Sequence, residues 1–137
     1  MLKQLSLLCL GATAFTGAAS ANSDFCNGAT KCMYINVANR SAALVTSVKV
    51  TQEKTDGACS YDERNFSQNL NGAGGENMDG DSFRLKVSTT CKYKIKFKTT
   101  NGCTGDKTTH LTPKKFAEGQ GYAELKYGCG TLNARTG

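Results

Sequence analysis

Lysine occupies every second position along one stretch of this sequence, and this spacing is the feature of the chain best suited to binding a ligand. The residues are Lys92, Lys94, Lys96 and Lys98. Side chains on one face of a β-strand are about 6.6 Å apart, so the four ammonium groups are expected to form one line facing water. That spacing is shorter than the screening length of physiological salt, roughly 8 Å, and the lysines repel one another unless an anion lies among them. The pattern therefore predicts a face that binds anionic polymers or surfaces through salt-sensitive contacts with little sequence preference.

Two further cations, Arg84 and Lys86, show the same alternation in the preceding segment. If that segment lies beside the lysine segment, six cations share one sheet face, and Asp106 is the one carboxylate expected close to them. The predicted anion-binding residues are Arg84, Lys86, Lys92, Lys94, Lys96 and Lys98. Tyr93 and Phe97 alternate with the lysines and face the other way, so stacking on nucleic-acid bases is not supported. The competing interpretation is that these charges keep a thin β protein soluble and prevent its strand edges from pairing.

The cysteines point to covalent cross-links rather than to metal or redox chemistry. Of seven in the chain, six follow the first 21 residues: Cys26, Cys32, Cys59, Cys91, Cys103 and Cys129. They include no C-x-x-C pair, and the chain has a single histidine, so zinc and thioredoxin-like sites are disfavoured. An even number of cysteines in an exported chain with few large apolar residues predicts three disulfides. The short spacing favours Cys26 with Cys32, which leaves the other four to tie the central strands to the long loop and the C-terminus.

The first 21 residues have the pattern of an export signal. Lys3 stands near the start, an apolar run occupies residues 5–15, and the segment ends in Ala19-Ser20-Ala21. The run is too short to span a bilayer, and its ending suits cleavage directly after it. Residues 1–21 are therefore a predicted signal peptide and residues 22–137 a predicted single domain, secreted or periplasmic, with no transmembrane segment after cleavage. Without Lys3, the seventeen Lys and Arg fall to sixteen against eleven Asp and Glu, and this basic balance favours anionic partners.

Apolar and polar residues alternate with a period of two in most of the chain, and clusters of Gly, Asn, Asp and Ser separate the alternating segments. This pattern is typical of β-strands and turns. About seven short strands are predicted, and because each has one polar face they must pack as two sheets around a shared core. The predicted fold class is all-β, a small antiparallel β-sandwich stapled by three disulfides, with a small β-barrel as the alternative.

The same alternation predicts how neighbouring strands pair. The segments around Ile35 and Val48 are expected to form the first antiparallel pair, joined by a turn at Asn39-Arg40-Ser41. The three strands between Phe83 and Leu111 are expected to form a meander with a tight turn at Asn101-Gly102. A last strand is expected to point Ala123, Leu125 and Tyr127 toward the core.

Other chemistries have weaker patterns. The glycine-rich segment from Asn71 to Ser82 carries several acidic residues but matches neither an EF-hand nor a calcium-binding repeat. His110 stands alone, and no nucleophile motif accompanies it, so no metal and no cofactor are predicted. A hydrolase would need a carboxylate pair that the sequence does not single out. The favoured function is a secreted non-enzymatic binding module whose basic strand face attaches to an anionic polymer or a cell-surface component.

The alternative function is a secreted protein inhibitor or toxin-like effector. A small domain held by disulfides can present a long loop to a protein partner, and the segment from Asn71 to Ser82 is the candidate loop. Two acceptor sequences for N-glycosylation are also present, Asn39-Arg40-Ser41 and Asn65-Phe66-Ser67. The sequence leaves the oligomeric state open.

Overall fold

The computed structural model describes residues 22–26, 31–73, 79–116 and 121–134; the predicted signal peptide, residues 1–21, lies outside them. The described residues form the strands β1 (Cys32–Asn39), β2 (Leu44–Gln52), β3 (Asp62–Phe66), β4 (Ser82–Ser88), β5 (Tyr93–Thr100), β6 (Lys107–Leu111), β7 (Gly121–Leu125) and β8 (Thr131–Ala134). Sheet I contains β4, β1, β7 and β8 in that order, and sheet II contains β3, β2, β5 and β6. β1 and β7 run parallel, and the other neighbours run antiparallel. The predicted all-β sandwich is therefore confirmed.

One apolar core lies between the sheets. The inward side chains of β1 and β4 include Ile35, Val37 and Leu85, and those of β5 include Tyr93 and Phe97, all of them almost completely buried. Most of the alternating positions on these strands are exposed or partly exposed, as expected of strands with one face on a core. Burial of apolar surface, worth roughly 25 cal/mol per Å², drives the two sheets together.

Two of the predicted strand pairings are wrong. β1 lies in sheet I and β2 in sheet II, so the turn after Asn39 crosses between the sheets instead of closing a hairpin. β4 is an edge strand of sheet I, while β5 and β6 pair in sheet II, so these three strands form no meander. Tyr127 is 84% exposed in the turn after β7 and does not point toward the core. Alternation identifies the face of a strand that meets the core, but a strand with one buried face fits either sheet of a sandwich.

The connections after β5 and β6 agree better with the sequence pattern. Asn101 and Gly102 both have positive φ, 58° and 127°, in the connection from β5 to β6, which explains why the chain uses these two residue types there. A short 3₁₀ helix, Pro113–Lys115, follows β6. No helix in the described part of the chain has the length and apolar character that crossing a bilayer requires.

Three disulfides join the described cysteines. Cys26 bonds to Cys32, Cys59 to Cys91 and Cys103 to Cys129, which confirms the predicted number and the predicted partner of Cys26. The Cys59–Cys91 bond joins the loop before β3 to the connection between β4 and β5, where the chain passes from sheet I to sheet II. The Cys103–Cys129 bond joins the β5–β6 connection of sheet II to the β7–β8 turn of sheet I. Covalent bonds thus hold the sheets together where a small apolar core contributes modest stability.

A buried polar network holds the crossing from β1 to β2. Asn39 is fully buried, and its amide nitrogen donates hydrogen bonds of 2.8 Å to the carbonyl oxygens of Ala43 and Leu70. Its side-chain oxygen accepts hydrogen bonds from the Ser41 backbone N–H at 3.1 Å and from the Ser41 hydroxyl at 2.6 Å. Every hydrogen-bonding group of the Asn39 side chain is therefore used. Its nitrogen is inaccessible to glycosylation in the folded protein, whereas Asn65 is exposed.

A second buried network joins the two sheets through Tyr93. The Tyr93 hydroxyl accepts a hydrogen bond of 2.9 Å from the Ser88 backbone N–H in β4, and it donates one of 2.8 Å to the side-chain oxygen of Gln52 in β2. Gln52 in turn donates to the carbonyl oxygen of Ser60 at 2.9 Å. Burial raises the pKa of Tyr93 to about 12, because the phenolate would lose its hydration.

We expect the protein to lose stability as the pH rises from 10.0 to about 12. An unfolded Tyr93 ionises near the ordinary pKa of 10.0, whereas the folded one keeps its proton until about 12, so the unfolded state releases more protons in this window. Below pH 10.0, Tyr93 makes its whole contribution to the free energy of unfolding. Phenolate absorbance should report one tyrosine that ionises only together with loss of the far-UV circular dichroism of the sheets. Ionisation of every tyrosine near its ordinary pKa with the sheets intact would contradict this expectation.

Candidate anion-binding site

The lysine segment forms a line on the outer surface of sheet II. Lys94 and Lys98 are exposed and Lys96 is partly exposed, while Ile95 and Phe97 between them are buried in the core. The apolar residues fix the orientation of the strand, because turning it over would expose them and bury the lysines. β5 thus holds three ammonium groups in line on the water-facing side of the sheet.

The other three predicted residues lie outside β5, and two of them lie in the other sheet. Lys92 directly precedes β5 and is exposed, the Glu53 backbone N–H donates to its carbonyl oxygen at 2.9 Å, and no carboxylate of the described residues lies at ion-pair distance from its ammonium. Arg84 and Lys86 belong to β4 in sheet I. They do not share a face with the lysines of sheet II, and the expected face of six cations does not form. The reason is that residues 89–92, between β4 and β5, cross from one sheet to the other.

Lys49 of β2 joins the line, and the sequence interpretation missed it. Lys49 is the direct neighbour of Lys96 across the β2–β5 ladder. The buried residues Val48 and Val50 on either side turn Lys49 outward, which alternation in the sequence already indicates. Only the pairing of β2 with β5 brings it to Lys96, and no local pattern predicts that pairing. Together, Lys49, Lys94, Lys96 and Lys98 form the lysine face.

Two carboxylates neutralise part of the lysine face. The Lys96 ammonium lies 3.4 Å from Asp106, the carboxylate that the sequence predicts nearby, and the Lys49 ammonium lies 3.5 Å from Glu63 of β3. These four side chains are 37–43% exposed, so water screens both ion pairs and each contributes little to stability. Within the described residues, Lys94 and Lys98 have no carboxylate at ion-pair distance. The lysine face therefore keeps an excess of positive charge.

Glu63 is held in its charged form by its neighbours. The Tyr61 hydroxyl donates a hydrogen bond of 2.6 Å to the Glu63 carboxylate. This hydrogen bond, with smaller contributions from Lys49 and Lys94, lowers the pKa of Glu63, and it also raises the pKa of Tyr61. Glu63 therefore stays ionised beside Lys49 near neutral pH.

A shallow polar hollow of about 280 Å³ opens among the lysines. It is lined by Ser47, Lys49, Asn65, Lys96, Lys98 and Asp106. Three ammonium groups, one amide and one hydroxyl surround the hollow, and all of them are donors for the oxygens of phosphate, sulfate or carboxylate groups. Asp106 acts as a built-in counter-anion for Lys96, so an external anion has to compete with it.

The other candidate chemistries gain little from the described residues. His110 is exposed on the outer surface of sheet II, where it pairs with Lys94. Residues 74–78, the centre of the acidic glycine segment, lie outside the described residues, and Asp79 beyond them forms an ion pair of 3.1 Å with Arg40. In the described ranges, no group of three His, Cys, Asp or Glu side chains converges as a metal site requires.

Comparison with protein-family models, with curated proteins and with solved structures finds no match for this chain. An assignment of function therefore depends on the charges and the geometry of the lysine face.

Proposed function

We propose that this protein is an exported, non-enzymatic binding module that attaches to an anionic polymer or a cell-surface component through the lysine face. The observation that carries the proposal is the hollow of about 280 Å³ around which Lys49, Lys96 and Lys98 converge. Lys94 adds a fourth cation on the same strand as two of them. Anionic groups spaced along a polymer would supply the counter-charges that Lys94 and Lys98 lack in the described structure.

The electrostatic cost of the lysine face supports a role in binding. Lys49 and Lys96 are direct cross-strand neighbours, and like charges in such pairs are destabilising, although Glu63 and Asp106 offset part of the repulsion. Opposite charges at these two positions would serve solubility equally well and would stabilise the sheet. Binding surfaces commonly reduce the stability of the fold that carries them, and a bound polyanion would turn this repulsion into attraction.

Binding through lysines is expected to depend strongly on salt concentration and little on the sequence of the anionic polymer. The lysine ammonium is a compact, hydrated charge without the planar geometry of a guanidinium, so the number of neutralised charges decides the affinity. If all four lysines displace counter-ions from a polymer, the affinity falls roughly a hundredfold between about 50 and 200 mM salt. Attachment is then reversible by ionic strength.

The test is elution of the oxidised mature protein from immobilised polyphosphate in a salt gradient. The lysine-face variant replaces its four lysines with Gln. The charge control replaces four exposed lysines outside sheet II with Gln, namely Lys54, Lys114, Lys115 and Lys126. Because each variant loses four lysines, the two variants have the same net charge. We expect the charge control to elute close to the wild type and the lysine-face variant to elute at much lower salt.

Equal losses in the two variants would mean that net charge alone governs retention, and the proposal would be wrong. It would also be wrong if the wild type eluted with an unrelated basic protein of the same size and charge. Either result would direct attention to the loop from Asn71 to Ser82 and to capture of a protein partner, as the alternative of an inhibitor or toxin-like effector requires. An immobilised sulfated polysaccharide, run in parallel, distinguishes sulfate from phosphate as the preferred anion.

A further inference from the structure

A second cationic surface lies on the outer side of sheet I. Arg84 and Lys86 project from β4 beside β1, because Tyr34 pairs with Lys86 and Asn36 with Arg84 in the β1–β4 ladder. The Arg84 guanidinium carbon is 4.2 Å from the centre of the Tyr34 ring, and the Lys86 ammonium is 5.7 Å from it. Both distances allow cation–π attraction. The Tyr34 ring remains 39% exposed, so this cluster is open to water.

Arg84 differs from the two other arginines in the described ranges, because no carboxylate there pairs with it. Arg40 lies 2.9 Å from Glu124, and Arg64 lies 2.7 Å from Asp62. The guanidinium of Arg84 is exposed and contacts an aromatic ring instead of an anion. Stacking on the ring restricts the planar group to few orientations, which lowers the entropy lost when its N–H edge binds an anion. Among the described residues, Arg84 thus has no carboxylate partner, and its contact with Tyr34 orients it for binding.

A hollow of about 220 Å³ opens beside this arginine. It is lined by Tyr34, Ile35, Asn36, Arg84 and Gly121. The guanidinium offers two parallel N–H groups to a phosphate, sulfate or carboxylate, and the Asn36 amide offers further hydrogen bonds within the same hollow. Planar, bidentate recognition of an anion is available here, whereas the lysine face offers point charges.

We propose that Tyr34, Asn36, Arg84 and Lys86 form a second anion-binding surface, the arginine face, so that one molecule binds two segments of an anionic polymer and cross-links them. This inference rests on the function proposed for the lysine face, because it assigns the same class of ligand to the opposite surface. The outer surfaces of two packed sheets point in opposite directions, and the sheets are about 10 Å apart. A short, straight polymer segment bound to one face cannot reach the other, so a second segment binds there.

The stoichiometry of binding to short linear polyphosphate distinguishes two faces from one. We expect the wild type to bind two equivalents by calorimetry and to form large complexes with long polyphosphate, which light scattering detects. The variant with Arg84→Gln and Lys86→Gln binds one equivalent and forms no large complexes. Its matched control, with Lys54→Gln and Lys126→Gln, loses the same charge and still binds two.

The variant Arg84→Lys separates planar geometry from charge. It keeps the positive charge and loses both the bidentate N–H edge and the stacking on Tyr34. We expect the affinity of the second equivalent to fall about tenfold while the first is unchanged. Equal affinities for Arg84→Lys and the wild type would overturn the geometric part of the inference.

One equivalent bound by the wild type, or two bound by the variant with Arg84→Gln and Lys86→Gln, would overturn the arginine face and leave the lysine face intact. The function proposed for the lysine face fails in a different way, by unchanged binding when its four lysines are replaced. Absence of any binding by the wild type would overturn both.

Discussion

Reduction of the three disulfides is expected to unfold the protein at neutral pH. The cysteines of the two long-range bonds are separated by 32 and 26 residues and those of the third by 6. In the chain-entropy treatment, each long loop stabilises the fold by roughly 3 to 4 kcal/mol and the short one by about 2 kcal/mol. Their sum, about 9 kcal/mol, is comparable to the whole stability of a typical domain, about 5 to 15 kcal/mol. We therefore expect the reduced protein to lose its far-UV circular dichroism and its cooperative thermal transition.

Removing one disulfide at a time compares the longest-range bond with the short-range bond. Replacement of Cys59 and Cys91 by Ala should lower the free energy of unfolding by about 4 kcal/mol, because this bond closes the longest loop and both cysteines are buried in the core. Replacement of Cys26 and Cys32 by Ala should lower it by about 2 kcal/mol. Urea titration measures both losses. A cooperative thermal transition in the reduced protein would contradict the prediction that reduction unfolds it. Equal losses in the two variants would contradict the larger contribution of the Cys59–Cys91 bond.

Replacement of Asn39 by Ala is expected to lower the free energy of unfolding by about 4 kcal/mol. The substitution removes one hydrogen-bond partner from each of four buried groups. These are the carbonyl oxygens of Ala43 and Leu70 and the N–H and hydroxyl of Ser41. The Leu70 carbonyl oxygen keeps a second partner, the Val45 backbone N–H at 3.0 Å. A buried polar group without a hydrogen bond costs roughly 1 to 3 kcal/mol, and rearrangement of the turn offsets part of the total. Because this turn carries the chain from sheet I to sheet II, the loss should lower the midpoint of thermal unfolding of the whole fold.

The substitution Asn65→Ala is the matched control for Asn39→Ala. Asn65 is exposed on β3, and its replacement should change the free energy of unfolding by less than about 0.5 kcal/mol. The variant Asn39→Asp keeps the shape of the side chain, loses both N–H donors and places a carboxylate oxygen against the carbonyl oxygens of Ala43 and Leu70, so it should be destabilised at least as much as Asn39→Ala. Thermal unfolding compares the three proteins. The network has no such role if Asn39→Ala and Asn65→Ala unfold at the same temperature.

Local geometry explains the parts of this fold that the sequence predicts well. In β5, burial of Tyr93, Ile95 and Phe97 leaves the lysines between them only the outer surface, and a strand with this pattern has one stable orientation. The spacing of Cys26 and Cys32 restricts their partners in the same way, since a six-residue separation closes without long-range organisation. Such features need only the period of a strand or the length of a loop, which the sequence records directly.

The parts that the sequence does not predict depend on contacts between distant segments. No local signal distinguishes a connection that closes a hairpin from one that crosses between sheets, and this difference moves Arg84 and Lys86 away from the lysine face. Lys49 becomes a neighbour of Lys96 only through the β2–β5 ladder. Asn39 has the sequence context of an exposed turn residue. In the fold it is buried, and its amide donates a hydrogen bond to the carbonyl oxygen of Leu70, which is remote in sequence.

Charge changes of opposite sign give a strong test of the lysine face. The lysine-face variant removes attraction for a polyanion, whereas Glu63→Gln with Asp106→Asn removes the two carboxylates that pair with Lys49 and Lys96. If anions bind among these lysines, the second change frees two ammonium groups and strengthens binding. The two variants must therefore move the affinity in opposite directions.

The salt dependence of polyphosphate affinity in the wild type, these two variants and the charge control decides whether anions bind at the lysine face. We expect the slope of log affinity against log salt concentration to decrease by about 0.7 to 0.9 for each lysine that no longer binds the polymer. The affinity of the protein with Glu63→Gln and Asp106→Asn should rise, and the charge control should keep the slope of the wild type. Equal slopes for the wild type and the lysine-face variant, or weaker binding after removal of the two carboxylates, would contradict the claim that anionic polymers bind at the lysine face.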